Sequence, residues 1–315
     1  MSKTPKLIKQ IQEYKTQEIN YAFQKSISYS QLSMYSSCPK KWALQYRDGH
    51  KVFTSSINTV FGTAIHETIQ HYINTIYNES GAAADKINLE EYFEERFRES
   101  YLREYQSNNK THFSDPVEMR EFYDDGVAIL TFLKKKRGEY FSIRNNWLVG
   151  VEIPIVLAPN KTHNNILFNG FIDLVMYNEN LDSFTIYDIK TSTRGWGDRE
   201  KKDETKIQQI LLYKQFFSEQ FGVPLDKIDV EFFIVKRKIW EESEFVQKRV
   251  QEFKPANGKG KMNKANESLS AFINAVFNLD GTYNTTDHQP TPDKYTCKYC
   301  PYSSKKELCD KAMLS

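Results

Sequence analysis

The chain has 315 residues, with 43 Lys and Arg against 41 Asp and Glu for a formal net charge of +2; it is long enough to bury the core of one large domain or two small ones. Its 19 Tyr, 21 Phe and 4 Trp, beside only four cysteines, exclude an aromatic-poor disordered chain and a small disulfide-stapled scaffold. No apolar run reaches the length of a membrane span, and the segment after Met1 is polar where a signal peptide would be apolar, so the expectation is a soluble cytoplasmic protein with no membrane partner.

Residues 1–27 read as a helical extension. Ser30 caps a short helix that stops at Cys38, because a residue before proline avoids the helical region, and Pro39 suits the first turn of a second helix ending near Asp48 and Gly49. Residues 61–78 set Ile65, Ile69, Ile73 and Ile76 on one helical stripe. Polar amphipathic helices follow at 89–106 and 116–136, inside a helical insertion of about residues 79–145. Past about residue 146 the period becomes strand-like, with Val149, Val151, Ile153 and Ile155 alternating over 147–157. Strands at 166–177 and 184–190, joined by the turn-rich 178–183, complete an antiparallel meander. A helix at 205–221, strands at 228–236 and 244–253, an exposed basic loop at 255–261 and a helix at 266–279 close the pattern. The order helix, three strands, helix, strand predicts the α+β class rather than a doubly wound sheet.

The small net charge hides two uneven stretches: residues 79–125 carry 13 acidic against 6 basic side chains, and residues 236–264 carry 9 basic against 4 acidic. Such runs are ordinarily solvated faces, but a neutral protein can also present a local basic groove. The cysteines are less ordinary. Cys297, Cys300 and Cys309 form a C-x2-C-x8-C set near the end of the chain, and Cys38 stands far upstream. Two thiolates at x2 spacing can share one metal or cluster and a third can return after a short loop; four thiolates satisfy tetrahedral zinc as well as iron and sulfide. Taken alone, Cys38 would be a small buried hydrophobe.

Asp188 and Lys190 lie two apart on the third strand and therefore share a face. Asp173, near the middle of the preceding strand, comes beside Asp188 if the two strands pair as a hairpin. Hard carboxylate oxygens suit Mg²⁺ or Mn²⁺, and a neighbouring lysine can steer or deprotonate a water and offset phosphate charge. By itself a D-x-K pattern is an edge-strand ion pair, and His66, Glu152, Gln209 and Tyr213 taken singly are ordinary polar residues of helices and strands.

The ordered set His66, Glu152, Asp173, Asp188 with Lys190, then Gln209 with Tyr213 resembles the PD-(D/E)XK nuclease superfamily. It is most similar to the RecB-type branch with a four-cysteine iron-sulfur cluster, as in CRISPR-associated and AddB-like iron-sulfur exonucleases. The resemblance spans residues 28–309, and its most specific parts are Ser28-Tyr29-Ser30-Gln31-Leu32 leading to Cys38-Pro39, the Asp188-Ile189-Lys190 strand, the Gln209-x3-Tyr213 helix and the split cysteines. The sequence departs from the name of the superfamily in carrying Ile172 before Asp173, and its gap before Cys309 is longer than in many relatives.

The resemblance implies a restriction-endonuclease-like αβββαβ core around a mixed central sheet, occupying residues 28–315. It implies that His66, Asp173, Asp188 and the Ile189 backbone carbonyl ligate Mg²⁺ or Mn²⁺, that Lys190 acts on the attacking water, and that Gln209 and Tyr213 orient the substrate strand, with Glu152 as a further acidic position. Cys38, Cys297, Cys300 and Cys309 then hold a 4Fe-4S cluster, zinc being the lesser occupant. The implied function is a metal-dependent DNA exonuclease on single-stranded DNA or DNA ends in recombination, repair or replication. It would be nucleoid-associated, or in a host cytoplasm if viral. Relatives often work beside a helicase or recombination partner, and no phosphate-binding G-x4-G-K-[ST] loop occurs here. Tyr187, Trp196 and Tyr213 are the candidate base-stacking residues, and Arg194, Arg199, Lys201 and Lys202 the candidate phosphate contacts. The alternatives are a non-catalytic iron-sulfur module that binds DNA ends or a helicase, and a restriction-type endonuclease.

Overall fold

In the computed structural model, which describes residues 4–50, 52–240, 242–245 and 247–313, the chain divides into two units. The first comprises Met1–Lys15, Ser55–Ile153 and Phe171–Asn257, and the second comprises Thr16–Thr54, Pro154–Gly170 and Gly258–Ser315. Among the described residues no helix is long and apolar enough to cross a membrane.

The first unit opens with helix α1 (Lys6–Gln12). The second unit's opening elements are β1 (Lys25–Ile27), α2 (Tyr29–Ser37) and α3 (Pro39–Trp42), the last continued by a π-helical turn at Ala43–Arg47. The first unit resumes with α4 (Ile57–Asn78), α5 (Gly81–Lys86), α6 (Leu89–Ser107), α7 (Pro116–Lys135) and α8 (Arg137–Tyr140). Capping sets these boundaries. The Ser56 hydroxyl accepts from the Thr59 amide at the start of α4, and the Asp115 carboxylate accepts from Val117 and Glu118 at the start of α7, where Pro116 needs no partner. The isoleucine stripe of α4 is buried as its spacing predicts, and packs with Phe93, Phe97, Phe122 and Ile129 of α6 and α7 and with Ile189 and Phe233 of the sheet. At Gly126 of α7 an added Cβ would fall 2.3 Å from the buried Phe93 ring, so any side chain there would have to displace that ring.

The strands are β2 (Asn146–Leu157), β3 (Ile166–Asn178), β4 (Ser183–Ser192), β5 (Ile228–Lys236) and β6 (Val250–Phe253). The sheet order is β1-β3-β4-β5-β6, with β2 also pairing with β3. Strands β3 and β4 run antiparallel from Leu174↔Tyr187 to Asn178↔Ser183, and β4 and β5 run parallel from Phe184↔Ile228 to Ser192↔Lys236. The parallel pair needs a crossover, which α9 (Asp198–Lys201) and α10 (Glu204–Phe221) provide. Helix α10 starts on an Asp203 cap and ends at Gly222, which takes the left-handed conformation with φ +68°. The expected order of α4, three strands, α10 and β5 around a mixed sheet is present.

In the second unit β1 runs parallel to the start of β3, Lys25 facing Ile166. Helix α11 (Lys259–Val276) and α12 (Lys294–Lys298) complete the unit. Trp42 is fully buried there, with Phe272, Tyr283 and His288 edge-on to it at 5.6 Å.

Three expected elements differ. Residues 25–27 form a strand where a helix was expected, because three residues are too few to show a period. Residues 259–261 are the first turn of α11, not an exposed loop, since Gly258 takes an extended N-cap conformation that starts the helix. The strand expected over 244–253 is confined to Val250–Phe253, the stretch that pairs with β5 at Phe232–Val235. Just before it, the Phe245 amide turns back onto the Ser243 hydroxyl.

Candidate active site

All the candidate residues for chemistry on the sheet lie in the first unit. Period-two alternation puts Asp188 and Lys190 on one face of β4, and the Lys190 Nζ lies 2.8 Å from Asp188 Oδ2. The same ammonium donates to Gln209 Oε1 on α10 at 3.3 Å. Gln209 in turn is hydrogen-bonded with Tyr213, one helical turn on, so the pair acts as one face of α10. Asp173 arrives from β3. Its Oδ2 accepts the Ile189 backbone amide at 2.7 Å and lies 3.6 Å from His66 Nδ1 on α4. The site therefore joins three layers: α4, the β3–β4 hairpin and α10.

Burial governs the charge states. Asp188 is only 2% exposed; burial lifts its carboxyl to about 6 against the pull of Lys190, and Asp173 is likewise lifted to about 6. Burial and the Lys190 charge lower His66 to about 4, so its imidazole is neutral at physiological pH. Lys190 is also disfavoured by burial, yet the adjacent Asp188 and Asp173 raise it above the ordinary lysine value. The ammonium stays charged and is the countercharge of two carboxyls. Burial raises the Tyr213 hydroxyl to about 12, so it remains a proton donor.

Among the described residues no three His, Cys, Asp or Glu side chains are already drawn into a metal cage. The reason is visible locally: Asp173 Oδ2 is turned onto the Ile189 amide and Asp188 Oδ2 toward Lys190. The donor set nevertheless fits a hard divalent cation. Asp188 Oδ2 is buried and lacks a well-directed hydrogen bond even with the Lys190 ammonium in range. Two carboxyls raised by burial, a neutral imidazole and the Ile189 carbonyl beside it supply hard oxygen and nitrogen ligands.

Glu152 reaches this site by a route the sequence does not advertise. It takes a left-handed backbone conformation within β2, φ +48°, and its Oε1 accepts from Gln70 Nε2 at 2.5 Å. Gln70 lies four residues after His66 on the same face of α4. The one signal for it was a second polar residue, i+4 from His66, beside an isoleucine stripe. Two of the aromatic expectations fail. Tyr187 faces away from Asp188 into a cavity of about 240 Å³ with Tyr77, Met176 and Phe233. Trp196 is buried at 7% exposure, 4.7 Å from the Phe232 ring, with its backbone tied to Gln251. Neither presents a free ring to a base.

The cysteines lie in the second unit, all as free thiols, with Cys38 and Cys297 buried. Cys38 sits in extended backbone between α2 and α3, the break that Pro39 dictates. Burial raises the Cys300 thiol, the Tyr302 backbone and Lys41 draw it back, and Cys38 and Cys309 are near enough to raise it again. The Cys300 amide bonds to the Cys297 carbonyl at 3.1 Å. Thr291 donates to the Ser37 carbonyl at 2.7 Å and Tyr302 to that of His50, pinning the C-terminal segment beside the Cys38 turn. The four thiols lie in one unit and fit a thiolate-bound group by their chemistry, though among the described residues they are not drawn into a closed cage.

No curated protein matches the chain. The profile of the PD-(D/E)XK nuclease superfamily, in contrast, matches residues 26–305. That span takes in the whole sheet but for Lys25, together with the α4 and α10 faces that close over Asp188 and Lys190. The match and the mixed-sheet architecture agree, and the chain belongs to the PD-(D/E)XK nuclease superfamily.

Proposed function

We propose that the protein is a divalent-cation-dependent DNA exonuclease of the RecB type, acting on single-stranded DNA or DNA ends in recombination, repair or replication. Membership of the superfamily implies nuclease chemistry with DNA as partner, and its members typically use Mg²⁺ or Mn²⁺. The observation that carries the reading is the convergence of Lys190, Asp188 and Asp173 in a buried, charge-deficient site with neutral His66 alongside. A non-catalytic end-binding module would have no need to keep that set intact.

In this reading His66, Asp173, Asp188 and the Ile189 carbonyl hold the cation, which supplies Lewis-acid stabilisation of charge on the phosphate. Lys190, kept protonated by Asp188, orients the attacking water and offsets phosphate charge rather than removing a proton. Gln209 fixes the Lys190 ammonium, and with Tyr213 it faces the substrate strand. Cys38, Cys297, Cys300 and Cys309 hold a 4Fe-4S cluster, with zinc the lesser occupant; their gathering in one unit supports this. Any unwinding is left to a helicase or recombination partner in the cytoplasm.

The test is to incubate end-labelled linear and circular single-stranded DNA with the protein and Mg²⁺ or Mn²⁺, beside Asp188→Ala and Lys190→Ala. The wild type alone should shorten the linear DNA. Equal degradation by both variants defeats the catalytic assignment, and cleavage of circles defeats the exonuclease.

A further inference from the structure

Gln70 belongs to none of the motifs above, yet α4 reaches two strands of the site through it. Its side chain is 5% exposed. Its Nε2 donates both to Glu152 Oε1 at 2.5 Å and to the Asp173 backbone carbonyl at 3.1 Å. One buried amide thus ties the strand carrying Asp173 to the strand carrying Glu152.

Glu152 is held in an unusual state for this. A residue with a Cβ keeps a left-handed φ within a strand only where its surroundings impose it, and such residues concentrate at functional sites. The conformation breaks the regular alternation of β2 and turns the carboxylate inward. Its charge is felt at His66, Asp173 and Tyr213. Without a partner a glutamate that is otherwise solvent-exposed would rotate back into water.

We propose that Gln70 is a positioning residue that holds the Glu152 carboxylate in the cleft as a third acidic group, so that a divalent cation at Asp173 and Asp188 binds more tightly. The proposal rests on the reading of the site as a cation-dependent nuclease. Groups that orient metal-binding carboxylates commonly change metal affinity by about 10- to 100-fold when removed. Gln70 has the geometry for this role: it contacts Glu152 and the Asp173 backbone and leaves the Asp188 side chain to Lys190.

The test uses the full chain, with Mn²⁺ binding read directly from the electron paramagnetic resonance of free Mn²⁺, alongside thermal midpoint and cleavage kinetics. Gln70→Leu and Glu152→Gln should each weaken Mn²⁺ binding by about tenfold, and the double variant no further, because the pair acts as one unit. KM for DNA should stay unchanged while the Mn²⁺ concentration for half-maximal rate rises in step with the binding loss. Gln70→Leu binding Mn²⁺ as the wild type does, or additive losses in the double variant, would overturn the proposal. Glu152 is exposed, so Glu152→Gln tolerates substitution and decides the matter even where Gln70→Leu unfolds; unchanged Mn²⁺ affinity in it is equally fatal. A wild type that binds no Mn²⁺, or an Asp188→Asn that binds it equally well, removes the nuclease reading and this inference with it. A loss of about tenfold in the Gln70 and Glu152 variants, beside a larger loss in Asp188→Asn, is the supporting outcome.

Discussion

The Asp173 carboxylate is the hydrogen-bond partner of the Ile189 backbone amide, at 2.7 Å, one step beyond the Leu174↔Tyr187 pair of the β3–β4 ladder. A side chain thus takes over where strand pairing stops, and the same oxygen faces His66. Asp173→Asn preserves an acceptor and sheds a carboxylate that burial disfavours, so its stability in urea at pH 7 should match or exceed the wild type's. Asp173→Ala leaves the Ile189 amide unpaired and should lose about 1–3 kcal/mol. Both should lose cleavage; an active Asp173→Asn would separate this carboxylate from the chemistry.

Stability should also depend on pH with a defined sign. Asp173 and Asp188 are raised to about 6 from 3.8, so the folded state retains protons that the unfolded chain releases. Their contribution is fully present below about pH 4 and is lost as pH rises through 6. His66, lowered to about 4 from 6.5, acts oppositely: its contribution is present above 6.5 and is lost as pH falls toward 4. Two carboxyls outweigh one imidazole, so in metal-free buffer the site destabilises the protein as pH rises between about 4 and 6. The thermal midpoint of Asp188→Asn should therefore gain on the wild type across that window, and a constant difference would refute the sign. Mg²⁺ should stabilise the wild type more at pH 7 than at pH 5.

Trp196 packs on Phe232 beneath the Lys206 ammonium, which lies 4.9 Å from its ring centroid. Trp196→Ala should cost about 3–5 kcal/mol in a denaturant melt, as for other large aromatic deletions. A variant with unaltered stability and weakened DNA binding would return Trp196 to the role of a stacking platform.

Removing a cysteine should act on the second unit as a whole. A group bound by Cys38 together with Cys297, Cys300 and Cys309 closes a long loop, and a cross-link of that span is worth about 4 kcal/mol or more by chain entropy. Cys38→Ser and Cys309→Ser should each lose bound metal and lower the thermal midpoint by roughly 10 °C. Elemental analysis for iron and zinc, with the visible spectrum, identifies the occupant. A Cys309→Ser protein that lost its metal and kept the parent's midpoint would argue against a structural role.

What the sequence made legible is what short-range periodicity encodes. The isoleucine stripe of α4, the alternation that pairs Asp188 with Lys190, the Gln209–Tyr213 turn and the Pro39 break beside Cys38 all follow from local rules and stand in the fold at those positions. What stayed hidden depends on partners distant in the chain. No local pattern announces the left-handed backbone of Glu152 within β2, because the residue that meets it, Gln70, lies far away in the chain on α4. Strand β1 exists only because the start of β3 offers it an edge. The burial of Trp196 depends on Phe232 and Gln251, whereas the face taken by Tyr187, opposite that of Asp188, follows from strand alternation alone.

The left-handed Glu152 has a consequence for how this protein would respond to selection. Glycine at that position would relax the backbone and recover about 1 kcal/mol or more. A library screened only for heat resistance should therefore enrich Glu152→Gly and discard the carboxylate, whereas one screened for function should hold glutamate against that gradient. With Glu152 in its proposed role, residue 152 is a place where durability and activity pull the sequence in opposite directions.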